Sequence, residues 1–184
     1  MTREFIASIE AEFGRYKALG EAAIDQLEVE DLNVTSVGEN SITTLVWHIS
    51  GNLKSRFTDF LTADGEKTWR DRDSEFQGRS ASVAEVQEKW EDGWTTLLRT
   101  LEPLTDDDLS AEVSIRGVAL TVPEALHRSL AHASYHVGQI VLIARSLRGG
   151  DWKFLSISPG GSAAYNRDPA YEKARDHAAR VEST

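Results

Sequence analysis

Residues 121–150 read TVPEALHRSLAHASYHVGQIVLIARSLRGG and include three of the five histidines of the chain. Thr121 is a suitable helix cap, Pro123 suits a first helical turn, and Glu124 completes a capping box with Thr121. Apolar residues then recur every three or four positions until Gly149-Gly150. This stretch therefore predicts a long amphipathic helix that ends just before the two glycines.

The same spacing predicts three more long helices upstream. They run from Phe5 to Leu27, from a cap at Asn40 or Ser41 to about residues 63–65, and from Ser82, which begins a second capping box, to Pro103. We interpret residues 64–80 as a long charged loop and residues 112–120 as a small hairpin or extended connection. The prediction is an all-α four-helix bundle over residues 1–166, followed by a tail, residues 167–184, with a short helix starting at Asp168-Pro169.

Composition limits the classes of function. The chain has 184 residues, which fits one domain, and its formal charge of −10 disfavours nucleic acid and anionic membranes as partners. Without any cysteine it has neither disulfides nor a cysteine nucleophile, so thiol chemistry would need an external thiol. No signal peptide or membrane-spanning segment is visible, and we expect a cytoplasmic protein.

A candidate metal site lies on the fourth predicted helix. His132 and His136 are four residues apart, so their imidazoles project from one face and could bind one ion. Isolated pairs of this kind are more often ordinary hydrogen-bonded histidines. Here both flank the apolar stripe and face a groove of the bundle, which favours a metal site.

The second predicted helix has a similar polar strip in its buried face. His48 flanks the apolar stripe, and Asn52 and Arg56 follow at steps of four residues. A hydrogen-bonded Asn and an Arg that extends to the surface would be an ordinary explanation for each residue alone. Stacked in one line with a histidine, they favour the wall of a polar pocket.

Two short motifs resemble the metal-binding motifs of the DinB-like superfamily. These are Trp47-His48 on the second helix and residues 132–139, HASYHVGQ, on the fourth. Residues 64–76 and 155–162 resemble an uncharacterised branch of that superfamily. The resemblance covers roughly residues 1–166.

The resemblance implies an up-down-down-up four-helix bundle, usually a homodimer, with one divalent ion, most often zinc or nickel. It implies His48, His132 and His136 as the metal ligands, whereas His127 and His177 match nothing in the motif. Characterised members of the superfamily include bacillithiol S-transferases and the mycothiol-dependent maleylpyruvate isomerase, which are thiol-dependent enzymes.

Three histidines leave an ion with an open coordination position, as in catalytic sites. Among the reactions that such an ion permits, the resemblance favours transfer of a low-molecular-weight thiol to an electrophilic small molecule, and we expect Arg56 or Asn52 to contact the substrate. Two alternatives stay open: a hydrolase that uses metal-bound hydroxide, and a non-enzymatic metal- or ligand-binding stress protein.

Further residues are candidates for supporting roles. Gln139, one turn after His136, could orient a ligand or could make an ordinary hydrogen bond within the bundle. In the charged loop we expect Trp69 and Phe76 to anchor the loop to the core, although they could instead form a lid. The cationic residues of the loop are expected to form a solvated face, although with Arg56 they could instead supply positive charge for the carboxylates of a low-molecular-weight thiol: Lys67, Arg70 and Arg72.

Overall fold

The computed structural model describes residues 2–35 and 40–183. Its helices are α1 Glu4–Ile24, α2 Val29–Leu32, α3 Ile42–Phe57, α4 Arg72–Glu75, α5 Val83–Leu101, α6 Val122–Arg148, α7 Ser162–Tyr165 and α8 Ala174–Glu182. Short 3₁₀ turns occupy Asp106–Ser110 and Gly149–Asp151, and the strands are β1 Glu112–Ile115 and β2 Val118–Thr121. None of these helices is both long enough and apolar enough to cross a membrane.

Four long helices form the bundle, which confirms the predicted all-α fold. Helix α3 packs along α5, α1 packs along α6, and α8 covers part of α1. Large apolar side chains from these helices are fully buried at the centre, among them Phe13, Phe57, Trp90 and Trp94. Their burial removes most apolar surface from water and supplies the main favourable term in folding.

The predicted helix starts are confirmed. The Ser41 hydroxyl accepts a hydrogen bond from the Thr44 backbone N–H at the start of α3. Capping boxes begin both α5, with Ser82 and Glu85, and α6, with Thr121 and Glu124. These caps act within one turn of helix, which is why residue type and spacing suffice to predict them.

The predicted end of the second helix was wrong by about two turns. Helix α3 ends at Phe57 because Thr58 is extended and Asp59 has a positive φ of 51°. The loop that follows includes the short helix α4, which we did not predict because this charge-rich segment has no clear helical periodicity. In the tail, helix α8 starts at Ala174, later than the predicted start at Asp168-Pro169.

The predicted hairpin is confirmed. Strands β1 and β2 pair in antiparallel register, with Ile115 opposite Val118. Arg116 and Gly117 form the two-residue turn, and both have positive φ, 57° and 72°. This combination suits the twist of a tight hairpin, and glycine adopts it without strain.

Two glycines provide a matched test of packing between α3 and α5. A Cβ added at Gly93 would lie 2.6 Å from the Ser50 Cα atom, whereas nothing lies within 4 Å of a Cβ added at Gly14. We expect Gly93→Ala to lower the free energy of unfolding by about 1–3 kcal/mol, because backbone atoms must move apart. Gly14→Ala should raise it by about 0.5–1 kcal/mol through helix propensity. Urea unfolding of both variants checks this, and a stabilised Gly93→Ala would contradict the close packing.

Asp64 connects the charged loop to the hairpin. Its carboxylate accepts hydrogen bonds from the Ser114 hydroxyl at 2.5 Å and from the backbone N–H groups of Glu66, Arg116 and Gly117 at 2.7–2.8 Å. The bond from Ser114, followed by those from the backbone, lowers the pKa of Asp64 well below its usual value. The ionised carboxylate therefore holds these two segments together.

We expect Asp64→Asn to lower the melting temperature in a pH-dependent manner. Because the pKa of Asp64 is lower in the folded chain than in the unfolded one, its contribution is complete above the unfolded pKa of about 3.9 and falls at lower pH. The difference from wild type should thus be equal at pH 7 and pH 5 and smaller at pH 3. Asp107→Asn is the control, since Asp107 is exposed and has no hydrogen-bond partner for its side chain among the described residues. A difference that did not change with pH would exclude the charge of Asp64 as the cause.

Candidate metal centre

Three histidines from two helices meet at one point of the bundle. His48 comes from α3, His132 and His136 come from α6, and one potential ligand atom from each lies within 4.8 Å of the others. The Nε2 atoms of His48 and His132 are 3.1 Å apart. Two nitrogens that bind one tetrahedral ion at about 2.0–2.1 Å lie roughly 3.3 Å apart, so this spacing fits a shared ion.

A buried carboxylate orients His48. The Nδ1 atom of His48 lies 2.9 Å from Glu75 Oε2, and Glu75 also accepts hydrogen bonds from Arg70 Nε at 2.7 Å and Arg70 Nη2 at 2.8 Å. Burial alone would raise the pKa of Glu75, but the hydrogen bonds from His48 and Arg70 outweigh it and the pKa is lowered. Glu75 is therefore ionised, and His48 Nδ1 is the donor, which leaves a lone pair on Nε2 for an ion.

A glycine in α3 makes room for this carboxylate. A Cβ added at Gly51 would lie 2.1 Å from Glu75 Oε1. Gly51 is in the middle of a helix, where glycine is normally unfavourable. Its presence allows the Glu75 side chain to approach α3 closely enough to reach His48.

A side-chain amide orients His136 in the same way. Nδ1 of His136 lies 2.8 Å from Gln139 Oε1, an acceptor, so Nδ1 carries the hydrogen and Nε2 carries the lone pair. Gln139 therefore contacts a candidate metal ligand through the ring nitrogen that an ion would not use. Metal-bound histidines usually have such a partner on the other ring nitrogen.

Two of the histidines, His132 and His136, favour the neutral form that a metal ligand needs. Burial lowers the pKa of His132 to about 3, with smaller contributions from the nearby His136 and His48. Burial likewise lowers the pKa of His136. Because His48 Nε2 presents a lone pair towards His132, a divalent ion between them could accept electron density from both rings. The donor set thus fits a divalent metal ion.

One comparison with known proteins identifies the family. Residues 1–161 match the family described as protein of unknown function (DUF1572). The chain belongs to the DUF1572 family. The match includes all three histidines and the helices that carry them, α3 and α6, whereas α8 lies beyond it. No curated protein and no solved structure matches the chain significantly.

The histidines of this DUF1572 protein lie in the wall of a pocket of about 420 Å³. Asn52, Arg56 and Gln139 also line it, so the structure brings the predicted site residues together. Arg56 is 7% exposed and donates hydrogen bonds to the Gly65 carbonyl oxygen and to Glu66 Oε2. Arg56 therefore holds the charged loop against α3 as well as facing the pocket.

The predicted solvated face was wrong for Arg70, whereas Arg72 is exposed as predicted. The Arg70 side chain is only 2% exposed and lies inside the site, while Lys67 bonds the Asp64 carbonyl oxygen. Phe76 lies against His48, with the two ring centroids 4.6 Å apart, and lines the pocket. Trp69, at 55% exposure, neither anchors the loop nor covers the pocket.

Sequence reasoning assigned no role in the site to Glu75, Arg116 or Arg128. Arg128 precedes His132 by four residues on α6, so helical spacing could have identified it as a pocket residue. Glu75 had no comparable signal, because it reaches His48 from a loop. His127 and His177 lie elsewhere, as predicted: His127 packs on Phe5, and His177 bonds the Leu155 carbonyl oxygen.

Proposed function

We propose that this protein is a metal-dependent enzyme that transfers a low-molecular-weight thiol to an electrophilic small molecule. The observation that carries the proposal is the convergence of three histidines, at least two of them oriented through Nδ1, in a pocket of small-molecule size. The resemblance to the DinB-like superfamily supports zinc or nickel as the ion, and a homodimer as the assembly. It also favours thiol transfer over other reactions.

A divalent ion bound there would lower the pKa of a thiol and could polarise the electrophile. In the reaction, a new bond forms between the thiol sulfur and an electrophilic carbon of the substrate. The bond to the leaving group breaks, the leaving group takes its electron pair, and the proton of the thiol passes to solvent. Addition to an activated double bond would instead return that proton to the neighbouring carbon.

The chain contributes orientation and binding. Glu75 and Gln139 hold two of the imidazoles in the tautomer that presents Nε2. Asn52, in the pocket wall one turn from His48, offers an amide that can donate to and accept from a substrate. Arg56 adds a positive charge to the same wall.

A screen of thiols against electrophiles tests the reaction. Metal-loaded protein should accelerate the reaction of at least one cysteine-derived thiol with an electrophile such as an aryl halide, epoxide or maleate. His48→Ala should abolish this rate, whereas His127→Ala should retain it, because His127 lies outside the site. Turnover of esters or amides without any thiol would favour the hydrolase alternative and contradict thiol transfer. Ligand binding without turnover across the panel would favour the non-enzymatic alternative.

A further inference from the structure

The pocket is strongly positive although the chain as a whole is negative. Five arginines line it and no aspartate or glutamate does: Arg56, Arg70, Arg72, Arg116 and Arg128. Three carboxylates contact these guanidinium groups. Glu66 pairs with both Arg56 and Arg116, Glu75 pairs with Arg70, and Asp73 lies near Arg72. An excess of two positive charges therefore remains, in a chain whose formal charge is −10.

Arg70 has an unused donor in this wall. Its Nε and Nη2 atoms face Glu75, but Nη1 is enclosed and has no hydrogen-bond partner among the described residues. The side chain is 2% exposed. Buried charged donors are almost always paired, and Arg70, which lines the pocket, keeps one donor for which the described residues supply no acceptor.

Arg128 is also available. It lies on α6 one turn before His132, is exposed, and makes no ion pair or hydrogen bond through its side chain within the described part of the chain. Arg72, on the loop side, is half-exposed, and its contact with Asp73 is long, at 3.8 Å. The pocket thus has an unpaired guanidinium group on the α6 side and a weakly paired one on the loop side.

We propose that these arginines form an anion subsite beside the three histidines, and that it binds a carboxylate group carried by the thiol or by its acceptor. The reference to a thiol and an acceptor rests on the proposed function, whereas the anion subsite itself does not. A carboxylate suits the site because it has two acceptor oxygens and pairs with guanidinium groups in a planar geometry. Phosphate groups pair with guanidinium groups in a similar way, so inorganic phosphate is the competing ligand in the test.

Binding of succinate and of succinamide tests the subsite without any thiol. Titration calorimetry on metal-loaded protein should show that succinate binds at least about tenfold more tightly than its neutral diamide, the factor that a single charge-assisted hydrogen bond supplies. The preference should persist after chelation, which excludes direct binding of the carboxylate to the ion. Arg128→Gln should weaken succinate binding about tenfold and leave succinamide binding unchanged. Arg99→Gln removes the same charge from an exposed site outside the pocket and should have no such effect.

The outcomes separate the two proposals. Equal binding of succinate and succinamide, or equal effects of the two arginine variants, would overturn the anion subsite even if thiol transfer were observed. Tighter binding of inorganic phosphate than of succinate would overturn the choice of carboxylate. Selective succinate binding with no thiol transfer would leave the subsite standing and remove the proposed reaction.

Discussion

Replacement of His132 by alanine should yield a folded protein without stoichiometric metal. The change removes one of three convergent ligands, and no other histidine, aspartate or glutamate among the described residues is grouped with these three. Loss of an outer partner of a metal ligand typically costs about 10–100-fold in affinity, and loss of a ligand should cost more. Elemental analysis of purified protein measures the metal content directly, and far-ultraviolet circular dichroism verifies that the helices form.

His127→Ala is the matched control for this experiment. His127 lies on the same helix, five residues before His132, but its ring packs edge-on against Phe5, away from the pocket. It should keep the metal content of the wild type. If His132→Ala also kept its full metal content, the assignment of the three histidines as one metal centre would be wrong.

Glu75→Gln should weaken both the metal centre and the fold. The neutral amide has one acceptor oxygen in place of two, so it cannot serve His48 Nδ1 and both nitrogens of Arg70 equally, and Arg70 would be left buried without a counter-charge. We expect metal affinity to fall about 10–100-fold. Removing one partner of a buried ion pair costs about 3–5 kcal/mol. Because the amide has the same shape as the carboxylate, we expect a loss of unfolding free energy at the lower end of this range, about 3 kcal/mol.

Two measurements separate these effects. Urea unfolding in the presence of a chelator reports the loss of the ion pair without any contribution from metal binding. Competition against a metal-binding dye reports the affinity of the folded protein. Asp73→Asn is the control, since Asp73 lies on the same short helix but its side chain is 95% exposed. Wild-type metal affinity in a destabilised Glu75→Gln protein would show that Glu75 supports the fold but not the centre.

Gln139 and Glu75, which orient two of the histidines, lie at different sequence separations from the histidines that they contact. Gln139 is three residues from His136 on one helix, so its contact follows from helical geometry and could be predicted as one of two roles. Glu75 is 27 residues from His48 and reaches it only because the loop folds back over α3. No periodic pattern connects a loop carboxylate to a helix face, and Gly51, which makes room for it, has no signature of its own in the sequence.

The sequence by itself determined the four long helices, the capped starts of three of them, the hairpin and the three histidines. Each of these depends on spacing within a few residues, on a resemblance carried by short motifs, or on both. Only the tertiary structure decided that α3 stops at Phe57, that Arg70 is buried with Glu75, and that five arginines surround the histidines. The physical reason is that helical periodicity is local, whereas the burial of a charged side chain depends on which distant partner meets it when the loop folds.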